Sequence, residues 1–263
     1  MLTKLLKYDL KYMLKNMVIF YILSIFFAIT TRILFKIEQS VIISIISQIS
    51  VGCMFAMIFN TLINTIMRSW IRFKDSIYKD GSYLTHTLPV TKNEIYNSKF
   101  IQTLIFFIVS FITVLISLFI TYYTKDRMID LKNLIGTITT GLDFNTTLFI
   151  ISIIAILFLE IFNVIQCGFL GIILGHKKNN NKIAFSVLFG FIAYSISQSI
   201  VVIFIFITGL FNSNIMDLFT NNVLLNPSSF KLLIILSLFV YSLIIILTSI
   251  ICKKELNKGI NIE

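Results

Sequence analysis

The sequence predicts an all-α, polytopic integral membrane protein, and three observations carry that prediction. Of 263 residues, 57% are hydrophobic and 13% are charged, about half the charge of an ordinary soluble domain. The apolar residues gather in six runs long enough to cross a bilayer. Lysine and arginine collect at alternate ends of those runs.

A hydrocarbon core about 30 Å thick needs about 20 apolar residues in helical form. Six stretches meet that need: 17–35, 41–66, 99–122, 147–175, 183–210 and 232–252. The chain has two prolines, Pro89 and Pro227, and neither falls inside a run. Lipid offers no hydrogen bonds, so each run must satisfy its own backbone as a helix. The first run is too long for the apolar region of a signal peptide and lacks a small-residue cleavage site, so we expect it to be retained.

Orientation follows from the basic residues of the short loops. On one side lie Lys4, Lys7, Lys11 and Lys15, the loop 67–98 with Arg68, Arg72, Lys74, Lys79, Lys92 and Lys99, then Lys177, Lys178 and Lys182, and the tail Lys253, Lys254 and Lys258. The other side has Arg32, Lys36, Lys125, Arg127, Lys132 and Lys231. Both termini, loop 67–98 and loop 176–182 are therefore expected in the cytoplasm. The net charge of +10 is spread over helix ends rather than along one stripe, so it points to lipid headgroups and not to nucleic acid.

Residues 2–17 read as an amphipathic helix. Leu2, Leu5, Leu6, Leu10, Met13, Leu14 and Met17 recur at helical spacing, with the four lysines opposite. Such a segment lies flat at a membrane surface, here expected to enter the first span through an elbow. The outer segments 123–146 and 211–231 look too short and mixed to be folded domains. The Asn145-Thr146-Thr147 sequon is the kind of match that chance produces readily.

Loop 67–98 carries the most local information. Trp70, Phe73 and Ile77 mark one face of a helix continuing from the second span. Gly81 after Asp80 is expected to close it as a left-handed cap. An exposed bend over Tyr83–Leu88 should follow. Pro89 breaks any earlier helical path. Thr91 with Glu94 three residues on forms a capping box that opens the next helix, running without a break into the third span.

The segment Lys79–Phe100, KDGSYLTHTLPVTKNEIYNSKF, resembles the inner-loop stretch of ABC-2-type permeases, the membrane subunits of bacterial ABC exporters. The six spans and the amphipathic N-terminal helix are similar to that family over the whole chain, whereas the motif covers about twenty residues. Ser82 between Gly81 and Tyr83 departs from the adjacent Gly-Tyr of many relatives. The resemblance implies that this loop holds the coupling helix that seats in a groove of a separate ATPase subunit. By position that role falls on Asp80, Gly81, Tyr83, Leu84, Thr85, Leu88 and Pro89. It further implies a second permease copy or a sibling permease, the bacterial cell membrane as location, and an amphiphilic cargo such as a peptide or lipid.

The chain has no G-x-x-x-x-G-K-[ST] loop, so ATP would be bound by the partner and no cofactor by this chain. Among the spans, Glu160 is the acidic residue deepest in apolar sequence, with Asn163 one turn on; Gln198 sits mid-span in the fifth run. An intramembrane carboxylate is a candidate for function, so Glu160, Asn163 and Gln198 are possible lining of a translocation path. The competing reading makes Glu160 structural, protonated or bonded to Asn163. Cys53, Cys167 and Cys252 read as small apolar side chains, and His86 and His176 fall in loops. No catalytic or metal-binding constellation is expected. An ATPase-independent secondary transporter or a membrane sensor subunit is the alternative. Gly171 and Gly175 form a G-x-x-x-G pair that permits close helix approach.

Overall fold

A computed structural model describes residues 2–37, 40–79, 81–87, 89–123, 125–141, 144–212, 215–216 and 227–259. Among these the regular elements are all helices: α1 Leu2–Lys36, α2 Val41–Ile77, α3 Gly81–Thr87, α4 Lys92–Tyr122, α5 Lys125–Gly141, α6 Thr146–Gly175, α7 Lys182–Phe211 and α8 Pro227–Asn257. Six of them, α1, α2, α4, α6, α7 and α8, are long and apolar enough to cross a membrane. These are the six spans expected from the sequence, each lengthened at one or both ends. At 1.5 Å per residue, the 37 residues of α2 reach roughly 55 Å, so its last turns project well past a hydrocarbon core.

The helix ends are built locally. Ser40 Oγ accepts the Ile43 amide at 3.3 Å at the start of α2. The Thr91–Glu94 box opens α4 as expected: the Thr91 amide donates to Glu94 Oε2 at 2.8 Å and the Glu94 amide to Thr91 Oγ1 at 3.3 Å. Asn145, the sequon asparagine, caps α6 by accepting the Thr147 amide at 3.0 Å. Pro227 is the first residue of α8, where its missing N–H is no loss. The segment 123–146 contains the helix α5.

The chain divides into two compact units, Met1–Met128 and Ile129–Asn261. In the first, α1 packs along both α2 and α4, and α2 packs on α4. Ala28, Met54, Ile58 and Val114 fill one layer of its interior, and Met13, Met17 and Phe106 another. Hydroxyls also join the helices. Tyr21 OH lies 2.9 Å from Ser110 Oγ, which is 2.6 Å from Thr65 Oγ1, and Thr31 Oγ1 lies 2.8 Å from Ser50 Oγ. Arg32 donates to the Ile120 carbonyl at 3.0 Å. Where lipid is as apolar as the side chains, such polar contacts and tight packing replace the hydrophobic effect in holding helices together.

In the second unit α6 packs against α7 and α8. Val201, Val240, Tyr241 and Ile244 form its buried cluster. Here the Gly171–Gly175 pair does what its spacing suggests. A Cβ on Gly171 would lie 2.5 Å from the Ser186 carbonyl oxygen and from Gly190 N, and one on Gly175 would lie 2.4 Å from Ser186 N. Only glycine lets the α6 backbone come this close to α7.

The outward faces are apolar. Phe211 is 88% exposed, Val187 69% and Phe191 68%. Apolar surface on this scale requires lipid or another protein to cover it.

The elbow expected near residue 17 is absent: α1 runs unbroken from Leu2 to Lys36. The reason lies on one stripe. Asp9, Met13 and Met17, each four residues apart, are fully buried against α2 and α4, so the first turns are docked as a straight continuation of the span. Lys4, Lys7, Lys11 and Lys15 all stand exposed. Leu14, expected on the apolar face, is 53% exposed.

Candidate functional site

The segment between α2 and α4 takes a form that differs from the expected bend. α2 ends at Ile77, where the Tyr78 amide donates to the Lys74 carbonyl at 2.9 Å. The chain then winds the short helix α3 over Gly81–Thr87. Gly81 is therefore the first residue of a helix and not a left-handed cap; its φ is not positive. Glycine is required there for a different reason. A Cβ at Gly81 would lie 2.9 Å from the Asp75 carbonyl oxygen and 3.3 Å from Ser76 Cα, so the start of α3 presses directly on the last turn of α2.

α3 has two faces. Ser82 and Thr85, three residues apart, are buried, and Thr85 Oγ1 donates to the Gly81 carbonyl at 2.7 Å. Tyr83 points the other way, 65% exposed, with Thr87 and Pro89 also exposed. Phe73 and Ile77 beneath are fully buried and Trp70 is half-buried, as their spacing suggested. Of the residues expected to serve coupling, Gly81, Tyr83 and Thr85 lie on α3 and Pro89 two residues beyond it; Tyr83 and Pro89 are exposed, Gly81 is half-buried and Thr85 is buried. Asp80 and Leu88 lie outside the described residues, as does the side chain of Leu84.

At the same end of the first unit lies a charge cluster that reading the sequence missed. Asp9 of α1 is fully buried. Its Oδ1 accepts Lys99 Nζ at 2.6 Å, Arg72 Nη2 at 2.7 Å and Arg72 Nε at 3.0 Å; its Oδ2 accepts Ser98 Oγ at 3.1 Å. Arg72 also stacks over the Tyr12 ring at 4.4 Å. Lys99 is 2% exposed and Arg72 17%. One carboxylate therefore joins the basic ends of α1, α2 and α4. Removing a single partner from such a set strands a buried charge. A signal was present in the sequence: Asp9 stands in register with Met13 and Met17 on the apolar stripe, where an acid has no business unless a cation meets it. Arg72 and Lys99 were instead read only as positive-inside charges.

The polar residues of the second unit form a separate network. Asn163, fully buried, donates to Ser197 Oγ at 2.8 Å and accepts Cys167 Sγ at 3.5 Å. Ser197 donates to the Tyr194 carbonyl at 2.8 Å. Tyr241 OH donates to Gln198 Oε1 at 3.3 Å, and among the described residues the buried Gln198 Nε2 meets no hydrogen-bond partner. Asn163 thus bonds across to α7 and not to Glu160. Glu160 is half-buried, on the α6 side of this group. Glu160, Asn163 and Gln198 do share one helix triad of α6, α7 and α8, but Asn163 is committed to packing. His176 stands in the loop as expected, as the C-cap in the turn just beyond α6, yet it is buried at 1% exposed, with Nδ1 2.8 Å from the Ile172 carbonyl. Beyond α6 and at the end of α8, Lys177 pairs with Glu255, which Lys258 also reaches at 2.6 Å.

No family model, curated protein or solved structure matches the chain.

Proposed function

We propose that the chain is the membrane-spanning permease subunit of an ATP-driven exporter of the ABC-2 type, working in the cell membrane of a bacterium with a separate ATPase subunit. The basic ends of the six spans face the cytoplasm, by the charge bias of the loops. On that side, Lys4, Lys7, Lys11 and Lys15 of α1 meet anionic headgroups. The chain itself binds no ATP; a second permease copy or sibling completes the membrane part.

The observation that carries this reading is α3. A seven-residue helix clamped onto the end of a long spanning helix, with an aromatic residue turned outward, is suited to receive a mechanical push. The clamp at Gly81 leaves α3 no slack against α2. The Asp9 cluster ties the ends of α1, α2 and α4 together, so a force on α3 would tilt the three helices as one body. Alternating access would then move an amphiphilic cargo, a peptide or lipid, past the polar groups of the spans, with Glu160 and the amide of Gln198 as its contacts.

The test is gentle extraction of the chain with its ATPase partner. Tyr83→Asp combined with Leu84→Asp should leave insertion and yield unchanged while abolishing ATP-dependent export and weakening ATPase recovery. A variant with these changes that still exports at the parental rate would refute the coupling role of α3.

A further inference from the structure

Among the described residues no other helix packs along α5, Lys125–Gly141. Leu131, Leu134, Ile135 and Ile138 recur in it at the three- and four-residue spacing of one helical face. Leu134 is 61% exposed and Ile138 44%. Asn133, Thr137 and Thr140 occupy the opposite face, also exposed. Ile129, one turn into the helix and exposed, falls off the apolar stripe.

The depth of α5 is fixed from both ends. At its last turns Thr139 is buried, with Oγ1 3.0 Å from Thr146 Oγ1, and its carbonyl accepts the Phe144 amide at 2.8 Å. Thr146 is the first residue of α6, and the apolar run 147–175 starts one residue later. The end of α5 is therefore level with the point where α6 enters hydrocarbon. At the other end, two residues separate Lys125 from Tyr122, the last residue of α4, a reach of about 7 Å. Tyr122 also closes the apolar run 99–122. No span lies between the two runs, so both meet the same side of the bilayer. The 17 residues of α5 are roughly 25 Å long at the helical rise. Standing upright, α5 would carry one end that far from a boundary to which both ends are held. It lies along the surface, and its apolar stripe is at the level of the acyl chains.

We infer that α5 is an interfacial helix whose partner is the phospholipid surface itself. Leu134, Ile135 and Ile138 sink among the upper acyl chains, and Asn133, Thr137 and Thr140 face headgroups and water. An apolar stripe opposite a polar one, on a helix of low overall hydrophobicity, is the pattern that binds in this way. Lipid is the occupant the depth selects, because a soluble protein partner would have to reach a face already level with the bilayer. The consequence is for the whole chain. The two units, Met1–Met128 and Ile129–Asn261, are joined through α5, so the link between them is anchored in the membrane plane. The inference needs only that α4 and α6 cross lipid, not that ATP drives transport.

Tryptophan quenching tests it in the full chain. Trp70 is the one tryptophan present, so Trp70→Phe gives a dark background. In that background Leu134→Trp and Ile138→Trp are placed in phosphatidylcholine vesicles brominated high on the acyl chains. Their emission should be quenched at least about twofold more than that of Asn133→Trp, on the polar face. Equal quenching at positions 133 and 134 would mean that α5 has no preferred face toward lipid. Absence of quenching at 134 and 138 would mean that water, protein or a second copy covers the stripe. Either result overturns the inference. A second measurement keeps Trp70. Leu134→Asp in the otherwise native chain, in the same lipid without bromine, should speed amide exchange over 129–141 severalfold and leave the middle of α6 unchanged. Exchange over 129–141 at the parental rate would also overturn it. Neither measurement involves an ATPase, so failure here is distinct from failure of the exporter reading.

Discussion

Lys99 Nζ lies 2.6 Å from Asp9 Oδ1, a fully buried contact between residues ninety positions apart. Arg72 reaches the same oxygen from a third helix. The cluster therefore decides how the basic ends of α1, α2 and α4 are spaced, and it carries a net positive charge that is held inside protein. Asp9→Ala should destabilise the first unit by about 3–5 kcal/mol, since it strands Lys99 and part of Arg72. Thermal unfolding in detergent would show this. Adding Lys99→Met to Asp9→Ala should recover a large part of the loss; no recovery would mean the pair is not coupled.

The close approach of α3 to α2 gives a second expectation. Gly81→Val forces a side chain against the Asp75 carbonyl and the Ser76 backbone, a clash worth about 1–3 kcal/mol. α3 should then lift from α2, and protease cleavage near Tyr83 should rise severalfold. Parental cleavage kinetics would show that α3 does not depend on the missing Cβ.

Removing the cap of α4 should act locally. Thr91→Ala deletes the acceptor for the Glu94 amide and should cost about 0.5–2 kcal/mol. Hydrogen exchange should quicken over the first turn of α4 and stay unchanged near Ser110.

In the second unit, Gly175→Leu places a side chain where Ser186 already stands. Loss of the folded unit is expected, and Asn163→Ala should be far milder. One interhelical hydrogen bond in lipid is worth under about 2 kcal/mol. Comparable stability of the two variants would contradict the close approach of α6 and α7.

What the sequence revealed follows from range. The six spans were legible because an apolar run is a local property, and so was the Thr91–Glu94 box, which needs only four residues. The Gly171–Gly175 spacing pointed to close packing but not to Ser186 and Gly190 as its reason. The register of Asp9 with Met13 and Met17 was a local signal, but its cationic partners were opaque because they are 63 and 90 residues away, and a loop-by-loop charge bias assigns Arg72 and Lys99 to sidedness before asking what they touch. α3 was read as a bend because Gly81 and Pro89 are both punctuation in sequence. The helix between them is explained by its bed on Asp75 and Ser76, which no spacing rule reports. The elbow failed for the same cause: amphipathic spacing shows that a face will be covered, and here Asp9, Met13 and Met17 cover it with protein.

Everything proposed about coupling requires that α3 face the cytoplasm. A single cysteine at Tyr83, in a chain freed of its own three cysteines, can be probed in intact cells with a membrane-impermeant maleimide. Labelling should be absent in intact cells and complete once the membrane is permeabilised, as the 65% exposure of Tyr83 allows. Full labelling of intact cells would place α3 outside and contradict the account.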